Sequence, residues 1–99
     1  VTAAELAPAP RTAREEADRE LADAVDYVER IARLYPRLDR DQVAAGLMPR
    51  WTGMARFARS LPAEDPYRQM LVEALVLILD EAPERIRIAW DAAYEAAKS

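Results

Sequence analysis

The sequence predicts an all-α fold, a bundle of four to five helices around one strongly apolar helix, and three observations lead there. Residues 70–79 read Met-Leu-Val-Glu-Ala-Leu-Val-Leu-Ile-Leu, with Glu73 as the single charge. Elsewhere apolar residues recur three and four apart, the spacing of a helix face. No stretch alternates apolar and polar residues as a half-buried strand would, and no hairpin turn or internal repeat is visible. A helix apolar on every side must be surrounded by protein or lipid. These ten residues fall short of the roughly 20 that cross a bilayer, so neighbouring helices or a partner must cover them.

Taken in order, residues 1–10 combine no basic start with no long apolar run, and read as a loose arm rather than a signal peptide. The single helical domain is expected over 11–99. Its first helix starts at Thr12, where Thr12-Ala13-Arg14-Glu15 fits a capping box. Ala17, Leu21, Ala24, Val25, Val28, Ile31, Ala32 and Tyr35 then form a stripe that ends before Pro36. The acidic residues Glu16, Glu20, Asp23 and Asp26 read as its solvated face. Asp39 offers the next cap, with Gln42 three residues on. Val43, Leu47, Trp51, Met54, Ala58 and Leu61 keep helical spacing through Pro49, as either one kinked helix or two short ones. Gly46 and Gly53 weaken a continuous helix and favour two. Asp65-Pro66 restarts the chain, with Asp65 as cap and Pro66 at the first helical position. The central helix is expected from 66 to about 80, with a joint at Glu81 and Ala82. Pro83 opens a last helix whose stripe is Ile86, Ala89, Trp90, Ala93 and Ala97.

Composition excludes several chemistries. With no cysteine there is no disulfide, thiol nucleophile or thiolate metal site, and with no histidine the usual near-neutral proton carrier is missing. A di-iron bundle of Glu-x-x-His motifs is therefore excluded, and neither a Ser-His-Asp triad nor a glycine-rich phosphate loop occurs. No cofactor, metal or catalytic residue is assigned. The net charge of −4 opposes general affinity for nucleic acid or anionic lipid, while leaving room for a local basic face. The abundance of alanine and arginine beside a single lysine, Lys98, fits a GC-rich bacterial genome. A cytoplasmic protein with no membrane partner is the expectation.

Two short fragments resemble known families. Trp51-Thr52-Gly53, near the middle of the chain, resembles the W-x-G triplet of the WXG class of small secreted proteins. That resemblance implies a dimeric helical hairpin with the triplet at its turn, whereas the prolines at 36, 49, 62, 66 and 83 predict breaks where that family has long arms. Val28-Glu29-Arg30-Ile31 and Asp65-Pro66-Tyr67-Arg68-Gln69 resemble segments of the all-helical chorismate mutases. That resemblance implies Arg30 and Arg68 as cations for a dicarboxylate, through bidentate guanidinium geometry. Neither fragment identifies the chain as a member.

The residues themselves offer one more constellation. Arg50, Arg56 and Arg59 stand with Trp51 and Phe57 in a segment without an acidic residue from Gln42 to Ala63, a basic and aromatic island. It suits an anionic partner, a nucleic acid among them, or else Trp51 and Phe57 face the core and the arginines stay in water. Glu73 marks either an exposed edge of the central helix or a partner contact, since a buried carboxylate would need a cation.

The expected core joins Leu71, Ala74, Leu75, Ile78 and Leu79 to Leu21, Val25, Val28, Ile31, Trp51, Phe57, Ile86 and Trp90. Val72, Val76 and Leu77 lie on other faces of the central helix and are surplus to it. Surplus apolar surface marks association. The expected function is that of a non-catalytic interaction protein, a homodimer or an accessory subunit of a larger bacterial complex, docking near Trp51, Val72, Glu73 and Val76. A nucleic-acid-associated regulator using Arg50, Arg56 and Arg59 is the alternative, and an arginine-based mutase-like enzyme or a WXG-like secreted protein are weaker ones.

Overall fold

The computed structural model describes residues 11–98, and the expectation about residues 1–10 lies outside them. Three α-helices carry nearly all of this stretch: α1 over Ala13–Leu34, α2 over Arg40–Ser60 and α3 over Pro66–Lys98. The described residues include no strand. The all-α expectation is met, but the helix count is three, not four to five, because the chain does not break at two of its prolines.

The caps fall where the sequence places them. Thr12 Oγ1 accepts from the Glu15 backbone N–H at 3.1 Å, and its hydroxyl in turn donates to the Glu15 carboxylate. Asp39 accepts from the Asp41 N–H at 3.2 Å, and Asp65 from the Tyr67 N–H at 2.8 Å. Each cap satisfies a donor that the first turn of a helix leaves unpaired. At the far end of α1 the Tyr35 N–H donates to Ile31, and Pro36 prevents continuation.

Pro49 and Pro83 are the corrections. Each lies inside a helix, where proline costs about 3 kcal/mol relative to alanine. Local preference yields here to packing. Val43, Leu47, Trp51 and Ala58 form one buried stripe across Pro49, and Ala74, Ile78, Ala82, Ile86 and Ala89 form another across Pro83. A break at either proline would rotate half of its stripe out of the core. Both prolines are exposed, as are Ala45 and Leu79, whose carbonyls lose their helical donor, so water can reach that side of each helix. Glu81 and Ala82 are helical rather than a joint, and the central helix runs on to Lys98.

The chain goes up, down and up. Arg50 of α2 meets Glu20 and Asp23 of α1, and a Cβ on Gly46 would lie 3.9 Å from the Tyr27 hydroxyl, so α1 and α2 are antiparallel. Arg40 lies 3.9 Å from Asp91 while Phe57 stacks edge-on against Tyr67, so α2 and α3 are antiparallel too. Parallel to α3, α1 packs along its C-terminal two thirds. The assembly measures 54 × 29 × 18 Å, with α3 spanning its length.

Two neighbours cannot enclose α3. Leu71, Ala74 and Ile78 are buried, Leu75 and Leu77 partly so, and Val72, Val76 and Leu79 are exposed. The expected core therefore needs revision at named positions. Leu79 and Phe57 are each 51% exposed rather than buried, and Val25 and Ile31 lie at the core's edge. Leu21, Val28, Trp51, Ile86 and Trp90 are buried as expected.

Candidate functional site

Between α2 and α3 runs a groove of about 490 Å³. Trp51, Ala44, Ala82 and Ile86 line it at depth, and Met48 and Leu79 stand half-exposed at its edge. From Leu79 the apolar surface continues along α3 through Val76, 64% exposed, and Val72. These three positions are four and three residues apart, so they share one face of the helix. Of the residues the sequence singles out, Val72 and Val76 are exposed and Trp51 is buried at the groove floor, while Leu79 and Met48 add to the same apolar surface. Leu79 is indistinguishable from a core leucine until the number of packed neighbours is known.

The charged rim of the groove is self-neutralising. Arg87 Nη2 lies 2.6 Å from Glu84 Oε1, and its hydrogen bond lowers the Glu84 carboxyl pKa and raises that of the guanidinium. Arg40 lies within 4 Å of Asp41 and of Asp91, which also approaches Arg87. Trp51 is 3% exposed and its indole N–H finds no acceptor, an uncommon state for a buried donor. The groove offers apolar burial inside a balanced rim.

Glu73 sits on the exposed side of α3, accepting from the Gln69 amide at 3.0 Å. It marks an open edge of the helix, beside Val72 and Val76 in sequence.

The basic island does not survive folding as a unit. Arg50 Nη2 donates to Glu20 at 3.2 Å and to Asp23 at 3.0 Å, and its Nε lies 2.7 Å from Glu20 Oε2 without the alignment of a hydrogen bond. The bond to Glu20 above all raises the Arg50 pKa, so this cation is committed inside the chain. Arg56 and Arg59 remain exposed, and Phe57 packs outside the core against Tyr67, with ring centroids 6.2 Å apart. Glu16 and Glu20, expected to be solvated, are each only 7% exposed. Arginines cover them: Arg11 and Arg19 reach Glu16, and Arg50 reaches Glu20. Only the arrival of α2 against α1 distinguishes Glu20 from Asp26, which is exposed on the same helix.

The two fragmentary resemblances do not carry over to the structure. Trp51-Thr52-Gly53 lies inside α2, not at a turn. Arg30 is exposed in the last turns of α1, beside the C-terminal end of α3, while Arg68 is in the first turn of α3 and donates to the Leu61 carbonyl at 2.9 Å. About 25 residues of helix at 1.5 Å each separate the two levels, so these arginines do not converge. Among the described residues no group of three or more carboxylates is placed to hold a metal ion, and no helix is long and apolar enough to cross a membrane. No protein-family model, curated protein or solved structure matches the chain.

Proposed function

We propose that this chain is a non-catalytic helical interaction protein that docks on another protein surface, a second copy or a larger assembly, through the α2–α3 groove. The observation that carries this reading is the continuity of the groove, from Trp51 at its floor through Leu79, with the exposed Val76 and Val72. Grooves between helices accept the apolar face of a further helix, with anchors at helical spacing. A fourth helix laid there would supply the neighbour that α3 lacks and complete the enclosure that its sequence calls for. The paired charges of the rim need not be stripped of their partners when an apolar face arrives, which avoids the cost of isolating a buried ion.

Solution mass by light scattering, at low and high salt, tests this together with a photo-crosslinking residue placed at Thr52, beside the groove. The wild-type chain is expected to form a salt-insensitive dimer or to crosslink one discrete partner. Val72→Glu combined with Val76→Glu is expected to abolish whichever association is seen, while circular dichroism shows the helix content unchanged. Association that persists unchanged in that variant refutes the reading.

A further inference from the structure

The second apolar surface of the molecule lies at the opposite end of its long axis from Val72, and its chemistry differs. Around the turn between α1 and α2, Leu34 is 63% exposed, Tyr35 57% and Leu38 44%. These residues alternate with Arg30, Arg33 and Arg37. Over residues 30–40 four arginines face Asp39 alone, an excess of three positive charges in a chain whose net charge is −4, so the remainder carries seven negative charges in excess. The approach of Arg40 to Asp91, and the cleft that Val25 and Glu29 line together with Ala89 and Ala92, place this turn level with the last turns of α3, at the tip of the 54 Å axis.

The arginines here are available. Arg11, Arg14, Arg19, Arg50, Arg85 and Arg87 are all held by carboxylates of the chain. Arg30 and Arg37 have no carboxylate partner among the described residues, and Arg33 donates only to the Glu29 carbonyl, at 3.3 Å. Arg40, which does have carboxylate neighbours, lies at the edge of the group.

We infer that this tip docks on an anionic lipid surface. Exposed leucines and a tyrosine among unpaired arginines form the combination that binds the headgroup boundary: apolar side chains enter it while guanidinium groups meet lipid phosphates. Tyrosine suits that boundary because its ring is apolar and its hydroxyl polar. An acidic protein would satisfy the arginines but needs a matching apolar face. A planar surface meeting the end of the molecule reaches the turn first and needs no such match. At physiological salt electrostatic screening acts over about 8 Å, so the acids that bear on the tip are those beside it: Asp41 and Asp91 neighbour Arg40 and Arg87, and Glu95 lies 4.0 Å from Lys98, which leaves Arg30, Arg33 and Arg37 with Glu29 and Asp39. This departs from the sequence-based expectation of no membrane partner, which rested on net charge, and it is independent of the α2–α3 groove.

Flotation with phosphatidylcholine vesicles, with and without phosphatidylglycerol, tests the inference. The chain is expected to float with the anionic vesicles only, and less so as salt rises. An arginine near such a surface is worth about fivefold in binding, so Arg33→Gln with Arg37→Gln is expected to weaken it about 25-fold. Leu34→Ser with Leu38→Ser is expected to weaken it about tenfold or more through lost apolar insertion. Arg56→Gln with Arg59→Gln, at the other end, is expected to stay within about twofold of wild type. All six positions are exposed, and circular dichroism of each variant is the check that it is folded. Failure to float with anionic vesicles overturns the inference, as does equal loss in the Arg56 and Arg59 variant. Binding of soluble polyglutamate at the tip without vesicle binding also overturns it, by assigning the surface to an acidic protein.

Discussion

Replacing Arg50 with methionine tests whether this residue is a structural cation or part of an open basic face. Methionine keeps most of the aliphatic stem and removes the guanidinium, so packing is little changed. The Glu20 side chain is 9% exposed and that of Arg50 45%. Removing one partner of a fully buried ion pair costs about 3–5 kcal/mol, because the other charge is left uncompensated. An exposed pair is worth about 0–1 kcal/mol. With one partner buried and the other half in water, the expected loss lies between these limits, at about 1–3 kcal/mol. For a domain of this size each kcal/mol shifts the melting temperature by about 4–8 °C. The assay is urea unfolding of Arg50→Met, Glu20→Gln and the double variant, followed by circular dichroism. The two single effects are expected to be non-additive, with a coupling of at least about 0.5 kcal/mol, since the residues are in direct contact. A change of less than about 0.5 kcal/mol for Arg50→Met, or simple additivity, would refute the reasoning and return Arg50 to the solvent.

Two further outcomes follow from other parts of the molecule. Gly53 is helical and exposed, and a Cβ built on it meets nothing within 4 Å; Gly53→Ala is therefore expected to stabilise the fold by about 0.5–1 kcal/mol in urea unfolding, and destabilisation would show that the W-x-G glycine is needed for packing. Arg14 bonds Glu81 at 2.6 and 3.1 Å, tying the start of α1 to α3 and holding the Glu81 carboxyl below its ordinary pKa of 4.5. A carboxyl depressed in the folded state contributes stability that is present above its unfolded pKa and lost as pH falls through the folded one. The melting-temperature gap between wild type and Arg14→Gln is therefore expected to be constant above about pH 5 and to close on acidification below the ordinary carboxyl range. A gap independent of pH would refute the assignment.

How much of this was legible in the sequence depends on the range over which each feature is determined. Caps at Thr12, Asp39 and Asp65 were readable because a cap is made by a side chain and a backbone N–H two or three residues away. The apolar stripes were equally plain, since helical spacing is a property of consecutive residues. The error at Pro49 and Pro83 has a definite source: proline disfavours a helix locally, while the stripes running through both positions report a larger, non-local preference. Giving weight to the stripes would have produced three helices.

The sites divide in the same way. Sequence alone determined that α3 is too apolar to stand alone and that Val72 and Val76 are surplus to its core. It also located every arginine. It could not tell which arginines would be consumed by carboxylates: Glu20 and Arg50 are 30 residues apart and meet only when α2 turns back along α1. Tertiary structure therefore decided that the cationic cluster of residues 50–59 is divided. It also decided that Arg30, Arg33 and Arg37, around Leu34, Tyr35 and Leu38, take no carboxylate partner among the described residues, and that Leu79 faces outward. Charge and hydrophobicity are carried by residues, but availability is a matter of neighbours, and the neighbours are fixed only when the three helices pack.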